Sequence, residues 1–344
     1  MNIEIRFADP CCLREWDDYV STHPEGCLFL TSAWRNIVSS TYGHQPFYLM
    51  AIRGSRICGV LPLFLMTSRL FGSVLATTPY ASSGAICADG EEEAGALVEM
   101  AIQLARECRV GYLELKSPRI TVCGELQRHA DYVNYRLPLD QPKIMWVTRV
   151  KKSTRRAVRI AERSGLATER GSHLLNCFYH VMVVNMRRLG TPIHSKSFYQ
   201  NILSNFGPRA NIIAIKYQDI PIAGCLYLRD REDVVALYGG SIPEYLHLRP
   251  NNLMDWEIIK DAYVSGARAV DFGRSLSGSG QAAYKESWGA EAKPLYYEYF
   301  LNRQRTIPRI HHGNPRYQLA RSVWRHIPLG LTKLLGPHLI KSIP

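Results

Sequence analysis

The sequence lacks the marks of several large protein classes. Its 344 residues contain no run of eighteen apolar residues, so no membrane-spanning helix is predicted. Met1 to Pro10 carries charge early and has no apolar h-region, so we expect no signal peptide. Nine cysteines occur without a Cys-x-x-Cys pair, which argues against zinc and favours reduced thiols in a cytosol. We therefore expect a cytoplasmic protein without a metal site.

Several catalytic signatures are missing as well. No Gly-Lys-Ser or Gly-Lys-Thr follows the glycine-rich stretch 273–280, so this loop is not a P-loop. Asp271-Phe272-Gly273 matches a kinase metal motif in its letters, but the loops that accompany that motif in kinases are missing. No Gly-x-Ser-x-Gly occurs, and no nucleophile–His–carboxylate set stands out. The sequence gives no sign of a covalent intermediate.

Positive charge is abundant but local. The net charge is +12, with 46% hydrophobic and 21% charged residues, a composition that can fill two ordinary domain cores. Residues 149–170 carry a charge of +6 and residues 301–344 carry +8, so the remainder is slightly acidic. A local excess of one sign implies a local anionic partner.

One order of elements is predicted twice along the chain. Each half reads as helices, a strand hairpin, a helix and a strand, with Gly59 and Glu114 in the first half matched by Gly224 and Asp271 in the second. This order is that of the Gcn5-related N-acyltransferase (GNAT) fold. We therefore predict an α/β (α+β) protein with two tandem GNAT-like domains, each a mixed sheet flanked by helices. The predicted boundaries are 1–148, 149–300 and a basic tail, 301–344.

The segment from Asp271 to Gly289 is the most informative of the chain. A strand is followed by a glycine-loosened loop and then by Lys285 among aromatic residues. Loop N–H groups can cradle an anion, and a fixed cation stabilises negative charge that develops in group transfer. The alternative is a mobile surface hairpin followed by a helix.

Other candidates surround this segment. Lys285, Asp271 and Tyr238 are predicted to be catalytic. Asp271 either accepts a proton or pairs with Arg274, and the ion pair is favoured. Substrate or phosphate binding is predicted for a second set of polar, basic and aromatic side chains: Arg274, Ser241, Asn252, Lys152, Arg155, Arg156, Arg159 and Trp288. The four basic residues of the set at 152–159 follow helical spacing and suit a phosphate-bearing ligand, although a solvated helix face would look the same.

The chain resembles FemAB-like proteins through six segments. More narrowly, it is similar to the FemAB-related proteins that accompany exosortase (PEP-CTERM) and exopolysaccharide systems. The matching segments are 151–166, 189–192, 222–227, 238–241, 271–289 and 324–344. The resemblance implies an N-acyl or aminoacyl transferase that modifies an amine of a cell-envelope or exopolysaccharide precursor. It also implies that the lysine of Tyr284-Lys285 lies beside the transferred acyl group.

The sequence does not decide between two acyl donors. Characterised FemAB-like relatives use aminoacyl-tRNA, whereas an acyl-CoA donor is usual elsewhere in the fold. Neither half has the Arg/Gln-x-x-Gly-x-Gly/Ala loop that holds the coenzyme pyrophosphate, which argues against acyl-CoA. No permanently bound cofactor is expected. A non-catalytic docking module of polysaccharide machinery is a further alternative. The tail 301–344 either packs on the first domain or contacts the inner membrane from the cytoplasmic side.

Overall fold

The computed structural model describes residues 2–68, 72–82, 84, 86–117, 124–307 and 315–344, with the backbone alone at 315–317. These residues form two compact units. Unit 1 comprises residues 1–132, 294–309 and 341–344, and unit 2 comprises 133–293 and 310–340. The division therefore falls before the predicted boundary at 148/149, and the chain returns to unit 1 after residue 293.

The described residues form thirteen strands and eleven α-helices. In order, the first half contains β1 Ile3–Phe7, α1 Leu13–Thr22, α2 Ser32–Tyr42, β2 Gln45–Arg53, β3 Arg56–Ser68, β4 Gly72–Ala76, β5 Cys87–Ala88, α3 Glu91–Glu107, β6 Tyr112–Ser117 and β7 Gln127–Pro138. The second half contains α4 Pro142–Thr148, α5 Lys152–Arg163, β8 Leu166–Arg170, α6 Leu175–Leu189, α7 Lys196–Phe206, β9 Ala210–Tyr217, β10 Ile220–Asp230, β11 Asp233–Ser241, α8 Pro250–Val264, β12 Ala269–Leu276, α9 Gly280–Glu286, β13 Glu291–Leu301, α10 Pro315–His326 and α11 Leu329–Ile340.

The strands of unit 1 lie in the order β1-β2-β3-β4-β6-β13, with β5 beside β3. Antiparallel pairing joins β2 to β3 and β3 to β4, whereas β4 and β6 are parallel because α3 crosses between them. Leu97, Val98 and Ala101 of α3 are fully buried against this sheet. The apolar periodicity of α3 thus forms the core of unit 1.

Unit 2 repeats that arrangement. Its strands lie in the order β8-β9-β10-β11-β12-β7. The hairpin β9–β10 and the strand β11 are antiparallel, and α8 crosses to β12, which is parallel to β11. The tandem GNAT-type mixed α/β fold predicted from the sequence is confirmed. The sixth strand of each unit was not predicted: it is β13 in unit 1 and β7 in unit 2.

The two glycines that suggested the repeat occupy the second strand of each hairpin, but their packing differs. A Cβ at Gly59 would lie 3.0 Å from Cδ1 of Leu97 in α3. A Cβ at Gly224 would lie 3.4 Å from Cδ2 of Phe178 in α6. Each glycine allows close approach of a helix, yet the two helices are not counterparts.

The end of the chain packs on unit 2. The helices α10 and α11 both contact α6, and of the described residues from 301 onwards only 301–307 and Lys341–Pro344 belong to unit 1. Arg321 donates hydrogen bonds from Nε and Nη2 to the carbonyl oxygen of Leu189, at 3.1 and 2.8 Å. The expectation that 301–344 packs on the first domain therefore differs from the structure for both described helices. Part of the predicted tail, 308–314, lies outside the described residues.

Candidate active site

A cavity opens in unit 2 where two parallel strands part. Pairing between β11 and β12 ends at Val235 and Asp271, although both strands continue. The cavity has a volume of about 520 Å³. Its walls come from β11, β12 and the facing sides of α6, α8 and α9. Ligands of α/β proteins commonly bind where neighbouring strands diverge at their carboxyl ends.

Lys285 lies in the wall of this cavity. Its Nζ donates hydrogen bonds to the carbonyl oxygens of Gly273 and Arg274, at 2.9 and 3.0 Å. Burial lowers the pKa of Lys285 to about 8, against the opposing fields of Asp271 and Asp255. An ammonium group has three N–H donors, so these two bonds fix its position and leave a third N–H for a ligand.

A buried carboxylate lies in the same wall. The side chain of Asp255, on α8, accepts a hydrogen bond of 2.6 Å from the hydroxyl of Tyr284. Burial raises the pKa of Asp255 to about 6, although the Tyr284 bond and the charge of Lys285 act in the other direction. A carboxyl group with such a pKa can accept and release a proton near neutral pH.

Helical spacing brings the other cavity residues together. Residues three or four apart share a helix face. On α9, Gln281, Tyr284 and Lys285 line the cavity, and on α8, Asn251 and Asp255 do so. The buried Oδ1 of Asn251 has no hydrogen-bond partner among the described residues, so it can accept a hydrogen bond from a ligand.

The cavity carries more positive than negative charge. Arg188, Arg274 and Lys285 line it, against the single carboxylate Asp255. Arg188 is oriented by a hydrogen bond of 3.1 Å from Nη2 to Oδ1 of Asn185. This balance suits a ligand that carries negative charge or develops it during reaction.

Asp271 lies behind the cavity wall. Its Oδ2 accepts from the side-chain amide of Asn134 at 2.9 Å, and its Oδ1 accepts from the N–H of Gly273 at 2.7 Å. Within the described structure these bonds, rather than an ion pair with Arg274, hold the carboxylate. Burial raises the pKa of Asp271, while Asn134, Gly273 and Lys285 lower it. Asp271 orients the loop whose carbonyl groups bind Lys285.

Some predicted binding residues line the cavity and others do not. Arg274 and Ser241 line the cavity. Asn252 is buried on α8, but its neighbour Asn251 faces the cavity instead. Trp288 is fully buried and stacks on Trp256, with ring centroids 6.3 Å apart, so it is a core residue.

Tyr238 does not line the cavity. Leu237 and Gly239, its neighbours on β11, line the cavity, whereas the ring of Tyr238 packs among His194, Phe198 and Tyr199. Ala236 and Gly240 also line the cavity, so packing among these aromatic rings, and not strand alternation, accounts for the position of the Tyr238 ring. The prediction of Tyr238 as catalytic is therefore not supported by its position.

The predicted basic cluster occupies the exposed side of α5. Lys152, Arg156 and Arg159 are exposed, and Arg155 is partly buried, where its Nη1 donates to the carbonyl oxygen of Trp146 at 3.1 Å. The opposite side of α5 packs on α8 through Thr154, Val158 and Ala161. None of the four basic residues lines the cavity.

One cluster of potential metal ligands occurs in the described part of the chain. Asp9, Cys11 and Cys12 lie close together at the surface of unit 1. The carboxylate of Asp9 already accepts hydrogen bonds from the N–H groups of both cysteines. Nothing connects this cluster with the cavity, which belongs to unit 2.

Known proteins of this fold resemble both units. The family model described as "Acetyltransferase (GNAT) domain" matches residues 148–286, which end beside Lys285. No curated protein sequence matches the chain. The chain therefore contains an acetyltransferase-type domain and is an acyltransferase, with the donor unspecified by the match.

Three solved structures share the fold over nearly the whole chain. The structure of FemX has a TM-score of 0.68 at 18% identity, covering 92% of this chain and 100% of FemX. L-PGS from Bacillus licheniformis has a TM-score of 0.56 at 12% identity, covering 96% and 98%. A tandem GNAT protein from the clavulanic acid biosynthesis pathway has a TM-score of 0.56 at 11% identity, covering 87% and 98%. At these identities the likeness establishes the fold.

Proposed function

We propose that the chain transfers an acyl or aminoacyl group to an amine of a cell-envelope or exopolysaccharide precursor, in the unit 2 cavity. The observation that carries this proposal is the placement of Lys285 and Asp255 in one cavity wall. A cation for a developing oxyanion and a carboxylate for a departing proton are the two groups that amide formation from an activated ester needs.

The reaction follows from these two groups. The acceptor amine loses a proton to Asp255 and its nitrogen attacks the acyl carbonyl carbon. The carbonyl oxygen then becomes an oxyanion, which the remaining N–H of Lys285 stabilises. As the carbon–oxygen bond of the ester breaks, the leaving oxygen takes up the proton held by Asp255. The products are an amide and a free hydroxyl group, and no bond to the protein forms.

Aminoacyl-tRNA is the donor we favour. The sequence has no Arg/Gln-x-x-Gly-x-Gly/Ala loop for a coenzyme pyrophosphate. The exposed cations of α5 offer a surface to which a nucleic-acid backbone could bind. The second candidate donor is an acyl-CoA, whose thioester would undergo the same attack with a thiol as the leaving group. The GNAT family match favours this candidate.

A donor assay tests the proposal. Purified protein would be incubated with a panel of amine acceptors and either charged tRNA or radiolabelled acyl-CoA, and amide product would be measured. We expect transfer from one donor class, lost in Lys285→Ala and partly retained in Lys285→Arg. Equal product formation by wild type and Lys285→Ala would end the assignment of the cavity as the active site.

A further inference from the structure

We infer that the helical face of unit 2 formed by α6, α7, α10 and α11 docks on an anionic lipid bilayer. The inference does not depend on the proposed reaction. It depends on three properties of this face: its charge, its exposed apolar side chains and the way it is fixed to the rest of unit 2.

The charge of this face has one sign. None of its four helices contains an aspartate or glutamate, and the sequence has no acidic residue anywhere in 171–218 or 301–344. Outside the cavity wall, the basic residues with described side chains on the four helices are Arg187, Lys196, Arg321, Arg325 and Lys333. Anionic lipids attract such a surface by about 1 kcal/mol per basic residue close to the membrane.

Large apolar side chains on α10 and α11 point into solvent. Five of the thirteen exposed large hydrophobic residues in the described structure lie on these two short helices. Their exposed fractions are 68% for Leu319, 56% for Val323, 49% for Leu331, 64% for Leu334 and 42% for Leu335. The three leucines of α11 are spaced to share one face, and Leu319 and Val323 share another on α10. A cluster of this kind on a protein surface marks an interaction site.

Helices α10 and α11 each pack one side against the rest of unit 2. On α11, Thr332, Gly336 and Ile340 are buried, and a Cβ at Gly336 would lie 2.9 Å from Cγ2 of Ile193. On α10, Trp324 is buried, and Arg321 is hydrogen-bonded to the end of α6. Gly190, with a φ of +72°, lets the chain turn there, and a Cβ would lie 2.8 Å from the carbonyl oxygen of Arg321. One side of each helix is packed, so the outward apolar side chains are held in place.

A bilayer fits this surface better than the alternatives. An RNA would use the positive charge but would leave five aliphatic side chains in water. A second copy of the chain would bring two surfaces of positive charge together at a cost in free energy. Anionic lipid headgroups satisfy the cations, while leucine side chains enter the interface between headgroups and acyl chains. None of the described helices has the length and apolar character that crossing a bilayer requires, so the contact would be peripheral.

Vesicle sedimentation tests the inference with the full chain. Vesicles of phosphatidylglycerol and phosphatidylcholine would be compared with phosphatidylcholine alone, at low salt and at about 0.15 M salt. We expect binding to the anionic vesicles that weakens with salt. Leu331→Ser/Leu334→Ser and Arg325→Glu/Lys333→Glu should each reduce the partition coefficient on the order of tenfold.

Matched controls exist in unit 2. Val264→Ser removes a side chain that is 84% exposed on α8, and Lys293→Glu reverses an exposed charge away from the docking face. Both should bind vesicles like the wild type, and thermal unfolding would verify that every variant is folded. The inference is overturned if the leucine and charge variants bind as the wild type does. It is also overturned if the leucines support a dimer in solution, or if RNA binds and vesicles do not.

Discussion

The two units carry different structures at the end of the same pair of parallel strands. In unit 2, β11 and β12 part after Val235 and Asp271, and a cavity with Lys285 and Asp255 opens there. In unit 1, the gap beyond the β4–β6 pairs is bridged by Thr77. Its N–H donates to the carbonyl oxygen of Glu114 at 3.0 Å, and its Oγ1 accepts from the N–H of Lys116 at 3.1 Å.

Each unit holds a lysine near a carboxylate, but the two lysines differ in burial. Lys116 is fully buried, with its Nζ 3.5 Å from Oε1 of Glu114. Lys285 borders a cavity, and its nearest hydrogen-bond acceptors are backbone carbonyl groups. One fold can therefore bury a charged pair inside one copy and place charged groups at the edge of a cavity in the other.

The largest effects are expected from replacing Lys285 and Lys116 in separate variants. Lys285→Ala should lower kcat on the order of 10²- to 10³-fold, because one fixed donor to an oxyanion is lost. Lys116→Met should leave kcat unchanged but lower the free energy of unfolding by about 3–5 kcal/mol, because Glu114 loses its buried partner. Transfer kinetics and urea unfolding would measure the two effects. A large loss of kcat in folded Lys116→Met would contradict the division of roles.

The next largest effect is expected on kcat/KM when Asp255 is replaced. Asp255→Asn should lower kcat/KM on the order of 10²-fold, because the proton acceptor is lost. In the wild type, kcat/KM should rise as pH passes about 6 and fall above about 8, the pKa values of Asp255 and Lys285. The variant should lose the lower limb. Tyr284, Arg274 and Arg188 also face this part of the cavity, as does the thiol of Cys225, whose pKa burial raises.

The same variant should be more stable than the wild type above pH 6. The pKa of Asp255 is about 6 in the folded chain against a usual 3.8. The folded wild type therefore loses stability as pH rises from about 4 to about 6, since the buried carboxyl must ionise. An asparagine does not ionise. The free energy of unfolding of Asp255→Asn should therefore exceed that of the wild type by an amount that grows to about 1–2 kcal/mol over that interval. A constant gap across pH, measured by thermal unfolding, would contradict the assignment.

A smaller effect is expected at Asp271. Asp271→Asn should lower kcat about tenfold, since the carboxylate positions the loop that binds Lys285 and does not itself line the cavity. The lower limb should remain where it is in the wild type, whereas the upper limb should move to lower pH, because the charge of Asp271 raises the pKa of Lys285. Loss of the lower limb in this variant would make Asp271 the proton acceptor in place of Asp255.

The smallest effect compares the matched glycines. Gly59→Ala and Gly224→Ala should each lower the free energy of unfolding by about 1–2 kcal/mol, because the added methyl group meets Leu97 in one case and Phe178 and a backbone oxygen in the other. Neither change should alter kcat or KM. An activity loss in Gly224→Ala alone would show that α6 transmits packing changes to the cavity wall.

Much of the fold could be predicted from local pattern. The hairpins, α3, α8 and their following strands were all recognisable from apolar periodicity and turn residues. Six strands were missed: β1, β4, β5, β7, β8 and β13. The sequences of β7 and β13 mix aromatic and charged residues, and only pairing with distant strands makes them extended. Packing of α10 and α11 on α6 was also missed, since amphipathic helices do not reveal which partner they contact.

The candidate site was predicted in part. Lys285, Arg274 and Ser241 line the cavity, as predicted. Lys285 could be predicted because a lysine after a glycine-rich loop is a local signal. Asp255 and Asn251 were missed, although two polar residues four apart on an apolar helix could have indicated a shared face. Tyr238 and Trp288 were selected for their residue type, whereas packing against other aromatic side chains decided their positions.

Local sequence was enough to predict the repeated order of elements and the location of positive charge, since both follow from residues close together in the chain. Packing between distant parts of the chain sets where the cavity beside Lys285 opens, which carboxylate lines that cavity and which helix face of unit 2 stays in solvent. The physical reason is burial: the pKa of Asp255, the position of the Lys285 ammonium and the exposure of the α11 leucines all depend on atoms far away in sequence.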